Sequence, residues 1–159
     1  MKRDLRRIFS LLSLIGLGLA LTLPIKAQKT AKTPKTDSAK VELFFKKSGI
    51  NYLTGKDIWI VKAGKTDHIF AVGKGYLVGF AVLAEKDKIK FTTESLTAML
   101  RFNGEVDSVN IRITEEGHVE IGLEATVRLL DQKEFNRLVN QLLGSTELAN
   151  TRLQPYLIK

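Results

Sequence analysis

The chain contains no cysteine, which excludes disulfides, thiol chemistry and cysteine-ligated metal. Its two histidines, His68 and His118, are too few for a histidine-rich metal site. There are three prolines in 159 residues and one tryptophan. A basic nucleic-acid footprint is also missing, although the net charge of +8 first suggests one. Residues 1–27 hold five basic residues and one acidic residue, and residues 28–40 hold four and one. The rest has 16 basic against 15 acidic residues, so the domain is nearly neutral and no nucleic-acid partner is expected.

Catalytic motifs are likewise absent. Gly64-Lys65-Thr66 resembles the end of a phosphate loop, but that motif needs glycine at position 59, which is Trp59. Gly73-Lys74-Gly75 reads as a hairpin turn. Neither a nucleophile elbow nor a zincin helix is present. Asp67 and His68 are adjacent and point to opposite sides of an extended chain, so they do not form a dyad. His118 beside Glu120 and Glu124 is the nearest approach to an acid–base face, and it reads as the solvent side of a hairpin. No catalytic residue, metal or cofactor is expected.

What is present begins with an export segment. Lys2, Arg3, Arg6 and Arg7 precede an apolar run from Ile8 to Leu23, broken by Pro24, and Ala27 offers a small residue for cleavage. Residues 1–27 are therefore expected to be a signal peptide, with an uncleaved N-terminal anchor as the alternative, and the domain to lie in the periplasm or envelope of a bacterium. Residues 28–40 read as a Lys/Thr-rich linker. Lys26, Lys29, Lys32 and Lys35 would line one face of a polyproline II helix, so membrane contact is expected only through the anchor or this linker.

Residues 41–159 read as a single domain. A short helix capped by Asp37 or Ser38 carries Val41, Phe44 and Phe45 and stops at Gly49. Strands follow at Asp57–Lys62, His68–Gly73 and Tyr76–Ala84, the last apolar on both faces and therefore central or covered on both sides. A helix over Thr93–Phe102 stops at Asn103-Gly104. Then Val109, Ile111 and Ile113 alternate with polar residues, as do Val119, Ile121, Leu123, Ala125 and Val127 after a Glu115-Glu116-Gly117 turn. That register pairs Thr114 with His118 and Arg112 with Glu120. Asp131, with Glu134 completing a capping box, opens a last helix through Phe135, Leu138, Val139, Leu142 and Leu143, with Gly144 as its stop or as a position it crosses at a cost of about 1 kcal/mol. The tail, with Leu153, Tyr156 and Leu157, is expected to pack on the domain. The class is α+β: an antiparallel sheet of about five strands with helices packed on it, in the order α-β-β-β-α-β-β-α.

This order, with "FFKKSGINY", "IFAVGKGYLVGFAVLA", "LTAMLRFNGEVDSVNIRITEEGHVEI" and "LLDQKEFNRLVNQLL", resembles the YbjN family and the type III secretion chaperone-like fold over about residues 41–150. The resemblance implies a twisted antiparallel sheet, frequently in a dimer, that holds other polypeptides or serves in regulation. It supplies no catalytic residue, and the export segment departs from the cytoplasmic secretion chaperones.

The expected function is a non-enzymatic, chaperone-like module of the envelope that binds a protein or peptide, possible self-pairing as a homodimer included. One alternative is a sensory domain for a small apolar ligand. The other is a hydrolytic enzyme, for which no paired acid and base can be assembled. Trp59, Tyr76, Arg112, His118, Glu120 and Glu124 are the candidate partner-binding residues.

Overall fold

The computed structural model describes residues 36–158. The expected export segment, and the linker up to residue 35, lie outside the described residues. Three helices, α1 (Asp37–Ser48), α2 (Thr93–Glu105) and α3 (Gln132–Leu153), accompany six strands. These are β1 (Leu53–Gly55), β2 (Ile58–Ala63), β3 (Thr66–Gly73), β4 (Tyr76–Ala84), β5 (Asn110–Ile113) and β6 (Val119–Thr126). The sheet order is β1-β2-β3-β4-β6-β5, antiparallel throughout. β1 to β4 form a meander of hairpins. α2 then carries the chain to the far edge, and β6 returns between β4 and β5.

The hairpin turns follow from residues that tolerate positive φ. Lys74 and Gly75 both have it, at 50° and 85°, the type I′ requirement between β3 and β4. Gly117, at 89°, takes the left-handed third position of the β5–β6 loop. The resulting register is the expected one: Arg112 lies opposite Glu120, and Thr114 N–H donates to the His118 carbonyl at 2.9 Å.

α1 and α3 cover one face of the sheet. Val41, Phe44 and Phe45 from α1 meet Trp59, Phe70 and Leu77 from the strands and Phe135, Val139 and Leu142 from α3. The strands alternate accordingly, with Trp59, Val61, His68, Phe70, Leu77 and Ala81 buried beneath the helices.

Several boundaries differ from the sequence reading, each for a local reason. Thr36, not Asp37 or Ser38, caps α1: its hydroxyl accepts from Ala39 N–H at 3.1 Å, and Asp37 occupies the first turn, where a carboxylate favours the helix dipole. The helix therefore starts inside the last residues assigned to the linker. β1 is an unexpected sixth strand, three residues long and so too short to show an alternation. α2 runs through Asn103-Gly104 to Glu105, because the Asn103 side chain bonds to β5 instead of ending the helix. α3 runs through Gly144 to Leu153. Ser145, Thr146, Ala149 and Leu153 continue its buried stripe, and that burial outweighs the roughly 1 kcal/mol a helical glycine costs. Asp131 does cap α3, with its Oδ1 accepting from Glu134 N–H at 2.7 Å, but the Glu134 carboxylate pairs with Arg137 instead of closing a capping box. The reciprocal box occurs on α2, between Thr92 and Ser95.

Candidate polypeptide-binding surface

The face of the sheet opposite α1 and α3 follows from the strand register. Leu53, Ile60, Ile69, Phe80, Gly122 and Asn110 lie directly opposite one another in a row through all six strands. A second row contains Gly55, Ile58, Ala71, Val78 and Glu124. A third contains Val82, Glu120 and Arg112. The middle of the face is thus apolar across β1 to β4, with the Lys62–Asp67 pair at one end of it, and the face is polar across β6 and β5. Leu53 is 59% exposed, and Ile58 and Val82 are also exposed. Contiguous exposed apolar side chains on a small domain mark a contact surface more often than isolated ones do. Sequence alternation alone gave β4 two apolar faces, and the structure makes it central with only one of them beneath the helices.

The two sheet edges differ. On β5, the Asn103 carboxamide donates to the Ile111 carbonyl at 2.9 Å, and its Oδ1 accepts from Ile111 N–H at 2.7 Å. One side chain thereby takes the place of a neighbouring strand at that residue and closes the centre of the edge. On β1, no strand pairs with the outer side among the described residues. Beside it a groove of about 370 Å³ is lined by Asn51, Tyr52, Leu53, Ile60 and Lys62. Its aromatic wall is anchored from α1: Glu42 Oε1 accepts from the Tyr52 hydroxyl at 3.1 Å, Oε2 accepts from the Trp59 indole N–H, and Lys46 pairs with the same carboxylate at 3.2 Å. The Trp59 hydrogen bond in particular, with those from Lys46 and Tyr52, holds the Glu42 carboxyl below its ordinary pKa against the opposing effect of burial. Burial and the Glu42 contact raise that of the Tyr52 phenol.

A second apolar surface lies beyond β5. Leu96, Met99 and Leu100 of α2 and Ile111 and Ile113 of β5 line a groove of about 350 Å³, and Leu100 is 72% exposed.

The residues singled out from sequence fall in different places. Trp59 is 2% exposed and belongs to the core beneath the helices, in contact with Phe45 and hydrogen-bonded to Glu42, so it does not face a partner. Its position in β2 did not reveal which face the helices cover. Tyr76 is exposed at the start of β4. Arg112 and Glu120 form a 3.0 Å ion pair on the open face, with the arginine exposed and the glutamate largely covered. Glu124 lies opposite Val78 on the same face. His118 is at the hairpin end, where its Nδ1 accepts from Lys86 N–H at 3.2 Å, a tie between two loops. The apolar side chains the sequence reading did not single out, Leu53, Ile58 and Ile60, form the main surface. The alternation of Ile58 and Ile60 with Trp59 and Val61 was visible, but not which set faces outward.

His68 is the other polar group of interest. It is 1% exposed, and among the described residues neither ring nitrogen has a hydrogen-bond partner. Burial lowers its pKa; the nearby Val61 and Thr66 carbonyls and the Asp67 carboxylate oppose this more weakly. Above pH 6.5 both folded and unfolded chains hold it neutral. As pH falls below 6.5 the unfolded chain binds the proton first, so stability declines, by at most about 1.4 kcal/mol per pH unit, until the folded histidine also protonates. The charged neighbours are Asp67 on the same strand, Lys65 on the turn and Glu147 on α3. Urea midpoints at pH 7.5 and 5.0 test this: the drop is expected to be smaller in His68→Leu, and an equal drop in both proteins would refute it.

No family model matches this chain, and no curated protein matches it in sequence. Solved structures do. YbjN from E. coli aligns with a TM-score of 0.55 at 9% identity, over 75% of this chain and 93% of that one. A chain of the heterodimeric ExoU–SpcU complex from the type III secretion system of Pseudomonas aeruginosa gives 0.58 at 14% identity, over 72% and 98%. The Yersinia pestis type III secretion chaperone SycH, in complex with a stable fragment of YscM2, gives 0.53 at 16% identity, over 72% and 99%. The domain therefore has a YbjN and type III secretion chaperone-like fold, as its sequence motifs implied.

Proposed function

We propose that this chain is an exported, non-enzymatic, chaperone-like module of the cell envelope that holds an extended segment of a partner protein along the outer edge of β1. The observation that carries this reading is the contrast between the two edges. Asn103 occupies the β5 edge at Ile111, whereas the β1 edge is unpaired and adjoins an apolar groove and an apolar sheet face. An added strand would gain main-chain hydrogen bonds from β1, and its alternate side chains would cover Leu53 and Ile60. The complexes of SycH with a YscM2 fragment and of ExoU with SpcU support polypeptide binding by this fold. The envelope setting rests on the basic and apolar N-terminal segment.

The exposed Leu96, Leu100 and Ile113 surface favours a second contact, self-association through α2 and the end of β5. A dimer in light scattering that Leu100→Lys converts to a monomer is its expected signature.

The main reading is tested by capture from envelope extract with the wild-type chain and with Leu53→Lys/Ile60→Lys. Both side chains lie outside the helix-covered core, so the variant is expected to fold. It is expected to lose its partner by roughly ten-fold or more, while Leu100→Lys retains it. Capture unaffected by the β1–β2 variant, or no partner recovered by any form, would count decisively against edge pairing at β1.

A further inference from the structure

One end of the domain brings exposed apolar and basic side chains together. The 3₁₀ turn Val127–Leu129, which follows β6, lies against the β3–β4 turn, and Val127 N–H donates to the Gly75 carbonyl at 2.9 Å. Tyr76 pairs with Thr126 beside it. The start of α1 completes this end: Lys40 Nζ donates to the Val127 and Arg128 carbonyls at 2.8 and 3.3 Å, and the Asp37 carboxylate stands beside Gly75. The chain enters the described residues here, through Thr36.

Leu129 is 73% exposed, and Tyr76 is exposed as well. Leu129 lines neither the groove beside β1 nor the one beside β5, so it offers a protruding apolar tip and not a pocket for a partner's side chain. Such a tip suits a fluid surface that closes around it, and tyrosine suits a boundary that is apolar on one side and wet on the other. Lys74 and Arg128 are exposed at the same end, and with Lys40 they belong to no ion pair among the described residues. The carboxylates of this end are Asp37, in the first turn of α1, and Asp131, whose Oδ1 accepts from Glu134 N–H and which exposed Lys133 follows after one residue. In the neighbouring β1–β2 turn the charges of Lys56 and Asp57 cancel. Lys26, Lys29, Lys32 and Lys35 precede Thr36 in the chain, so its positive excess is attached at this end.

We propose that this end of the domain rests on an anionic lipid bilayer, with Leu129 and Tyr76 at the level of the head groups and Lys74, Arg128 and the preceding lysines against lipid phosphates. The linker lysines would bring the domain to such a surface, and the folded end would fix how it lies there. The site is separate from the β1 edge and does not depend on it. Failure of either leaves the other standing.

Because the chain has no cysteine, an environment-sensitive fluorophore can be placed at Leu129→Cys in the full chain, with Leu148→Cys as the control. Leu148 is also exposed and lies roughly 25 Å along α3 from Asp131 by helical rise. The labelled proteins are mixed with vesicles of phosphatidylcholine alone and with vesicles containing about one-third phosphatidylglycerol. A blue shift is expected at position 129 with the anionic vesicles only, reversed by high salt, and none at position 148. Insertion of the Ile8–Leu23 run would not discriminate between the two vesicles or the two positions. Lys74→Glu/Arg128→Glu alters two exposed side chains; it is expected to keep the native circular dichroism and to weaken the response at 129 by about ten-fold or more. Four results would overturn the proposal: no shift at 129 with anionic vesicles, an equal shift with neutral ones, an equal shift at 148, or an undiminished response from the folded charge-reversed protein. A shift produced by soluble polyglutamate and not by vesicles would also overturn it, and would assign this end to an acidic polymer.

Discussion

Replacing Phe45 by alanine is expected to lower the unfolding free energy by about 3–5 kcal/mol. Phe45 is fully buried, and its ring stands 5.1 Å from Tyr52, 5.5 Å from Trp59, 5.5 Å from Phe70 and 4.8 Å from Phe135, centroid to centroid. Its ring joins α1 to β2, β3 and α3. Truncation removes its own burial and leaves a cavity walled by strands fixed in a ladder, which cannot close in by more than a little. The aromatic pairs, worth about 0.5–1.5 kcal/mol each in favourable geometry, place the loss toward the upper end of that range. Since small domains are stable by only about 5–15 kcal/mol, the variant should sit near its unfolding threshold at room temperature. Urea denaturation with an unchanged slope and a lowered midpoint is the expected result. A loss below about 1 kcal/mol would mean that this cluster does not hold α1 to the sheet.

Gly79→Val is the second large effect, with an expected loss of about 1–3 kcal/mol or more. A Cβ at Gly79 would lie 2.7 Å from Phe70 Cε1 and 2.8 Å from Cδ1, with Leu142 Cδ2 at 3.2 Å. Phe70 is fully buried and makes an edge contact with Phe45, so its ring has no space to retreat into. Relief would require β4 to move away from the Phe70 ring on β3. Glycine in a central strand is otherwise unfavourable, and its presence opposite Phe70 is explained by this close approach. A thermal midpoint equal to that of the wild type would show that the ring is not pinned.

Much of this was legible in the chain because local chemistry and tertiary packing agree there. The β5–β6 hairpin follows from its alternation and from Gly117, and the start of α3 from Asp131 and the Phe135–Leu142 stripe. The stops at Asn103-Gly104 and Gly144 did not hold, because packing overrode local propensity. Asn103 serves β5, and the Ser145–Leu153 stripe continues under the sheet-covering helix. β1 was invisible: three residues contain no period, and the strand exists because Leu53 to Gly55 pair with β2.

The candidate surface shows the same division more sharply. Alternation told which residues of β2 to β4 share a face but carried no sign, so Trp59 and Ile60 were equal contenders for the outside. The helices resolve it by covering Trp59. The chain by itself determined the class of fold, the near-neutral charge of the domain, the exclusion of cysteine chemistry and the hairpin register, because each depends on neighbours in sequence. Only the tertiary structure decided which sheet face stays open, which edge is closed by Asn103, and that His68 lies without a protein partner beneath α3. Each of those depends on contacts between residues far apart along the chain, and hydrophobic periodicity says nothing about them.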